Sequence, residues 1–128
     1  MSLFYAESVA LTYSNVEAAK RWWVETFDCQ VAKVPPDWDC PLPSDVALKL
    51  PGDSEPTILL NSRAEVERAG LDRSAPVVSV IFSDKLKKAY EQLTSRGVLA
   101  GPIQDGEDMQ FFELRDIEGN LIEVCEQR

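Results

Sequence analysis

The chain has 128 residues, 45% of them apolar and 27% charged, the balance of a folded globule and not of a disordered or fibrous chain. Thirteen Lys and Arg against twenty-two Asp and Glu leave a net charge of −9, which repels phosphate backbones and anionic bilayers, so neither a nucleic-acid nor a membrane partner is expected. The absence of histidine removes imidazole acid–base chemistry, the Ser-His-Asp and Cys-His arrangements and the H-E-x-x-H zinc motif.

Residues 8–13 (SVALTY) predict a strand. Ser14 or Asn15 then offers an N-cap oxygen to a helix that runs to about Phe27. Val16, Ala19, Trp23 and Phe27 recur at helical spacing and form its apolar face, while Lys20, Arg21 and Glu25 fall mainly elsewhere. Residues 29–34 predict a second strand, stopped by Pro35 and Pro36, which lack amide donors and lock φ. The following loop, 35–43, carries Trp38 between Asp37 and Asp39; it reads either as a lid over a cavity or as a cover for a sheet edge. Residues 46–50 and 57–61 predict short strands joined by the turn-rich 52–56. Residues 62–75 are polar and lack a long apolar period, so they predict a linker with a helical turn around 65–69.

After this midpoint the order repeats. Residues 77–82 predict a strand, and Ser83 or Asp84 is expected to cap a helix over 85–96, with Leu86, Ala89, Tyr90 and Leu93 on one face and Gly97 as its stop. A strand over 98–103 is interrupted by Gly101 and Pro102. Strands over 109–115 and 120–126 are joined through 116–120 (DIEGN), whose Asp, Gly and Asn suit a tight turn. The pattern is therefore strand-helix-strand-strand-strand, twice: a first module at 4–61, a linker at 62–75 and a second module at 76–128 of one domain. The implied class is α+β, two βαβββ modules forming a curved eight-stranded mixed sheet around a concave cleft, with helices outside.

Cys29, Cys40 and Cys125 form no C-x-x-C pair and no zinc-ligand spacing. No basic, apolar, small-residue leader pattern is present, so reduced thiols and a cytoplasmic location are expected.

Residues 8–23 (SVALTYSNVEAAKRWW) resemble the first strand and helix of the vicinal oxygen chelate superfamily, which includes glyoxalase I, bleomycin-resistance proteins and extradiol dioxygenases. Residues 112–123 (FELRDIEGNLIE) resemble its C-terminal signature, Asp-Pro-Asp-Gly-Asn-x-x-Glu, with Ile117 replacing the proline. In metal-using members four inward side chains hold one divalent ion. The resemblance carries these onto Ser8, Leu59, Val77 or Val78, and Glu123. Glu123 alone could ligate, and one carboxylate does not replace an ion's water shell, so no metal and no other cofactor is expected.

Alternation along the strands directs Ser8, Ala10 and Thr12 to one face and sets Glu123 opposite Ile122 and Val124. Leu59, Phe112, Leu121 and Cys125 are expected to complete an apolar lining, with Phe112 chosen over Phe111 to share Glu123's face. Trp38, Asp39, Met109 and Gln110 are candidates for the rim. The expected function is metal-free binding of a small apolar or cationic molecule in the cleft, as in drug or toxin sequestration, by a homodimer of the kind this family commonly forms. The alternatives are a metal-independent lyase or isomerase with Glu123 as its acid–base group, or a metal-dependent glyoxalase or dioxygenase drawing further acids, such as Asp39 or Glu113, from mobile segments.

Overall fold

A computed structural model describes residues 9–35, 41–73 and 77–127. The chain divides into two units, Met1–Ser74 and Ala75–Arg128. Ser8, Trp38, Asp39 and Cys40 lie outside the described residues.

The first unit begins with β1 (Val9–Tyr13), whose β-branched and aromatic residues suit a half-buried strand. Asn15 then caps α1 (Val16–Phe27), its Oδ1 accepting from the Ala18 amide at 3.0 Å. Ala19, Trp23 and Thr26 line the buried side of α1. The Trp23 indole N–H donates to the Tyr13 hydroxyl at 3.0 Å, so Tyr13 and its alternation partner Leu11 face the helix. β2 (Gln30–Ala32) is shorter than the expected 29–34. It is followed by β3 (Val46–Lys49) and β4 (Ile58–Ser62), and the strand order is β1-β4-β3-β2. β1 runs parallel to β4; the other pairs are antiparallel. The polar stretch after β4 contains α2 (Arg63–Arg68), which seats Val66 at 2% exposure, so one apolar side chain anchors it without a long period.

The second unit repeats this plan as β5 (Ser79–Phe82), α3 (Leu86–Ser95), β6 (Gln104–Asp105), β7 (Met109–Arg115) and β8 (Leu121–Gln127). Its order, β5-β8-β7-β6, with β5 parallel to β8, is the first unit's order transposed. The predicted pair of βαβββ modules is thus present, as two four-stranded mixed sheets.

Three further local features depart from expectation. The strand predicted over 98–103 is replaced by the two-residue β6. Ala100 makes only an isolated bridge to Leu114, and Leu99 is 94% exposed, because Pro102 has no amide to extend the ladder. At α3 the N-cap position is Lys85, not Ser83 or Asp84. The Ser83 hydroxyl accepts from the Lys85 amide at 3.1 Å, and Glu126 Oε1 of β8 accepts from Leu86 N at 3.0 Å. A carboxylate forty residues away thus satisfies an amide that a local cap would otherwise take, and offsets the helix dipole there. The third departure is Phe112, which is buried on the helix side of β7. By contrast, Gly97 ends α3 as predicted: at φ 87° it donates to Thr94 O, and Val98 donates to Leu93 O, the Schellman arrangement.

The 116–120 turn is built around Asp116, 7% exposed. Its Oδ1 accepts from the Glu118 and Asn120 amides at 3.0 and 2.8 Å, and its Oδ2 accepts from the Asn120 side-chain amide at 2.9 Å. Gly119 supplies the positive φ, 87°. This closure pins the register of β7 on β8, with Arg115 opposite Leu121.

Candidate functional site

α1 lies on the Leu11 and Tyr13 side of the first sheet and α3 on the Phe112 side of the second, and the pairings state which residues share the opposite faces. In the first unit Ala10 pairs with Leu59 and Thr12 with Asn61, opposite in direction to Leu11 and Tyr13. Ala47 and Ala32 continue the same face through Leu59. The predicted Ala10, Thr12 and Leu59 are therefore brought together, and Asn61, buried at 3%, joins them.

In the second unit Val80 pairs with Glu123, which in turn lies directly opposite Glu113. Phe82 pairs with Cys125, which lies opposite Phe111. Leu121 and Met109 share this parity. The helix side holds Ile122 and Val124, both buried, as expected from the alternation around Glu123.

Phe112 is corrected. It pairs with Val124, is wholly buried, and meets the Tyr90 ring of α3 edge-on at 5.2 Å, so it is core under the helix, and Phe111 is the phenylalanine on Glu123's face. Gln110 also lies on the helix side, paired with Glu126, and its side-chain amide donates to Asp105 at 2.8 Å. It is not beside Glu123.

The residues that sequence reasoning missed are Val80, Phe82 and the Glu113–Glu123 pairing. Counting outward from the Asp116–Asn120 closure would have found the pairing, since that register puts 113 against 123 and 112 against 124. Val80 and Phe82 are 45% and 61% exposed on this face. Glu113 and Glu123 are cross-strand partners in this register, and like charges directly opposite on neighbouring strands are unfavourable.

The chemistry of the donor set does not fit a family-type metal ion. Of the positions that the resemblance implies for the ion, Leu59 and Val77 or Val78 carry hydrocarbon side chains, which offer no electron pair. Among the described residues no group of three or more Cys, Asp or Glu is placed to hold an ion.

Neither described thiol is poised as a nucleophile. Burial, then the charges of Asp28 and Asp53, push Cys29 from its ordinary 9.0 up to about 12. Burial and then Glu123 raise Cys125. Both therefore stay protonated at neutral pH.

On the helix side of the second unit, a separate cleft of about 610 Å³ opens at the start of α3 between Lys85, Lys88, Glu91, Gln110 and Glu126. Its lining mixes both signs of charge. No helix among the described residues is long and apolar enough to cross a membrane.

The model of the Glyoxalase/Bleomycin resistance protein/Dioxygenase superfamily matches residues 6–124. A comparison with curated protein sequences finds no match. Among solved structures, a member of that superfamily from Sphaerobacter thermophilus superposes with a TM-score of 0.75 at 21% identity, covering 98% of each chain. TnmS3, an antibiotic binding protein from Streptomyces sp. CB03234, gives 0.72 at 16% identity over 100% of this chain and 99% of its own. Lactoylglutathione lyase from Agrobacterium tumefaciens gives 0.74 at 16% identity over 95% and 92%. At these identities the likeness is one of fold, and it spans a binding protein and an enzyme alike.

Proposed function

Since the chain belongs to the glyoxalase/bleomycin resistance protein/dioxygenase superfamily, we propose that it binds a small apolar or cationic molecule without a metal ion, on the helix-free face of its second sheet. The observation that carries this reading is the juxtaposition of Glu113 and Glu123 in register, flanked by the exposed Val80 and Phe82. An ammonium group set against the two carboxylates relieves their mutual repulsion, and the hydrocarbon or ring attached to it covers apolar surface that is otherwise wet. Sequestration of a drug or toxin is the use that best matches such a face, and TnmS3 is a structural neighbour described as an antibiotic binding protein. A homodimer in the cytoplasm completes the proposal, on the grounds of the family's common pairing and the reduced thiols expected of the chain.

Metal independence is tested by calorimetric titration of chelator-treated protein with benzyltrimethylammonium, repeated with equimolar zinc. The expected result is saturable binding of the same affinity in both. Binding that appears only when zinc is added would overturn the proposal in favour of a metal-dependent glyoxalase or dioxygenase.

A further inference from the structure

A chain of polar contacts in the first unit joins two segments that are distant in sequence. Asn61, at 3% exposure near the end of β4, donates through Nδ2 to Asp45 Oδ1 at 2.8 Å and accepts through Oδ1 from the Arg73 guanidinium at 3.1 Å. Asp45 in turn closes the segment before β3: its Oδ2 accepts from Leu42 N at 2.8 Å, and its own amide donates to Leu42 O at 3.0 Å. Among the described residues Arg73 and Asp45 make no ion pair with each other, so their connection runs through the amide between them.

We infer that Asn61 is the pin of a clasp that couples the 42–45 turn, which overlaps the end of the proline-rich loop, to the 71–73 segment, which leads out of the first unit. A buried primary amide has one donor side and one acceptor side, and here each is held by a different segment. Losing Arg73 frees the amide to rotate and leaves its carbonyl buried without a partner, which weakens the hold on Asp45. Opening at one end thereby loosens the other, and a ligand or contact that orders either segment orders both. The inference is independent of where a small molecule binds.

Amide hydrogen exchange on the whole chain carrying Arg73→Ala tests it. Arg73 is exposed, so the variant keeps the core intact. The Leu42 and Asp45 amides are expected to exchange about 3- to 10-fold faster, the range set by losing one ordinary side-chain hydrogen bond. The Ala18 amide, held by Asn15 Oδ1 at 3.0 Å outside both segments, is the internal control. Unchanged exchange at Leu42 and Asp45 would overturn the clasp. So would a uniform rise that includes Ala18, since that is general loosening. As a second readout, the folding equilibria of Arg73→Ala, Asp45→Ala and the double variant should be non-additive by at least about threefold. Additivity would show that the two segments are independent.

Discussion

Replacing Trp23 by alanine is expected to lower the stability of the first unit by about 3–5 kcal/mol, the largest effect of any single substitution considered. Trp23 is wholly buried, stacks on Phe27 with ring centroids 5.1 Å apart, and meets Trp22 edge-on at 5.4 Å. Truncation removes that area from contact and leaves a cavity that α1 and β1 cannot both close. Folded domains rest on about 5–15 kcal/mol in all, so the loss is a fifth or more of the total. Trp23→Phe keeps most of the volume but loses the bond to Tyr13, and should cost about 1–2 kcal/mol. The adjacent Trp22 is only half-buried, and Trp22→Ala should cost less than half as much as Trp23→Ala. Denaturant titration ranks the three variants. Equal losses at Trp22 and Trp23 would contradict the packing described.

The second large effect concerns binding. Glu123→Gln and Glu113→Gln are each expected to weaken binding of benzyltrimethylammonium about 5- to 10-fold, the scale of one partly wet charge pair. The double variant should lose most of the salt dependence. Stability should move the other way. Glu123 and Glu113 are directly opposed, so neutralising either removes a like-charge pair and should raise stability by a few tenths of a kcal/mol. The opposite signs matter, because a variant that merely damages the fold loses stability and affinity together. Unchanged affinity in both variants would remove the carboxylates from the site and leave the acid–base reading of Glu123 to be tested by turnover.

Much of this architecture was legible in the chain. The helical spacing of Ala19 and Trp23, the Asn15 cap, the Gly97 stop and the 109–115 strand are local signals, and the structure realises each of them. What the chain conceals has three separate causes: a distant partner, a local break and a register. The amide that Ser83 or Asp84 was expected to satisfy is taken by Glu126, and no local pattern in 83–86 announces a carboxylate from β8. The strand at 98–103 had suitable residues, but Pro102 and the geometry after Gly97 leave it one bridge. The exchange of Phe112 for Phe111 was a register error of one residue, and in a strand one residue reverses every side chain. The same slip concealed that Glu113 faces Glu123. Asn61 is hidden for a different reason: the pattern makes it the end of a strand, and its partners Asp45 and Arg73 come from segments with no periodicity.

The most direct test of the proposed site is amide chemical-shift mapping of chelator-treated, isotopically labelled protein titrated with benzyltrimethylammonium. The account predicts saturable shifts centred on Val80 and Phe82 of β5, Glu113 of β7 and Glu123 of β8, with little change along α3. Shifts confined to the cleft around Lys85 and Lys88, or a panel of cationic and apolar aromatics that leaves β5, β7 and β8 unmoved, would contradict it.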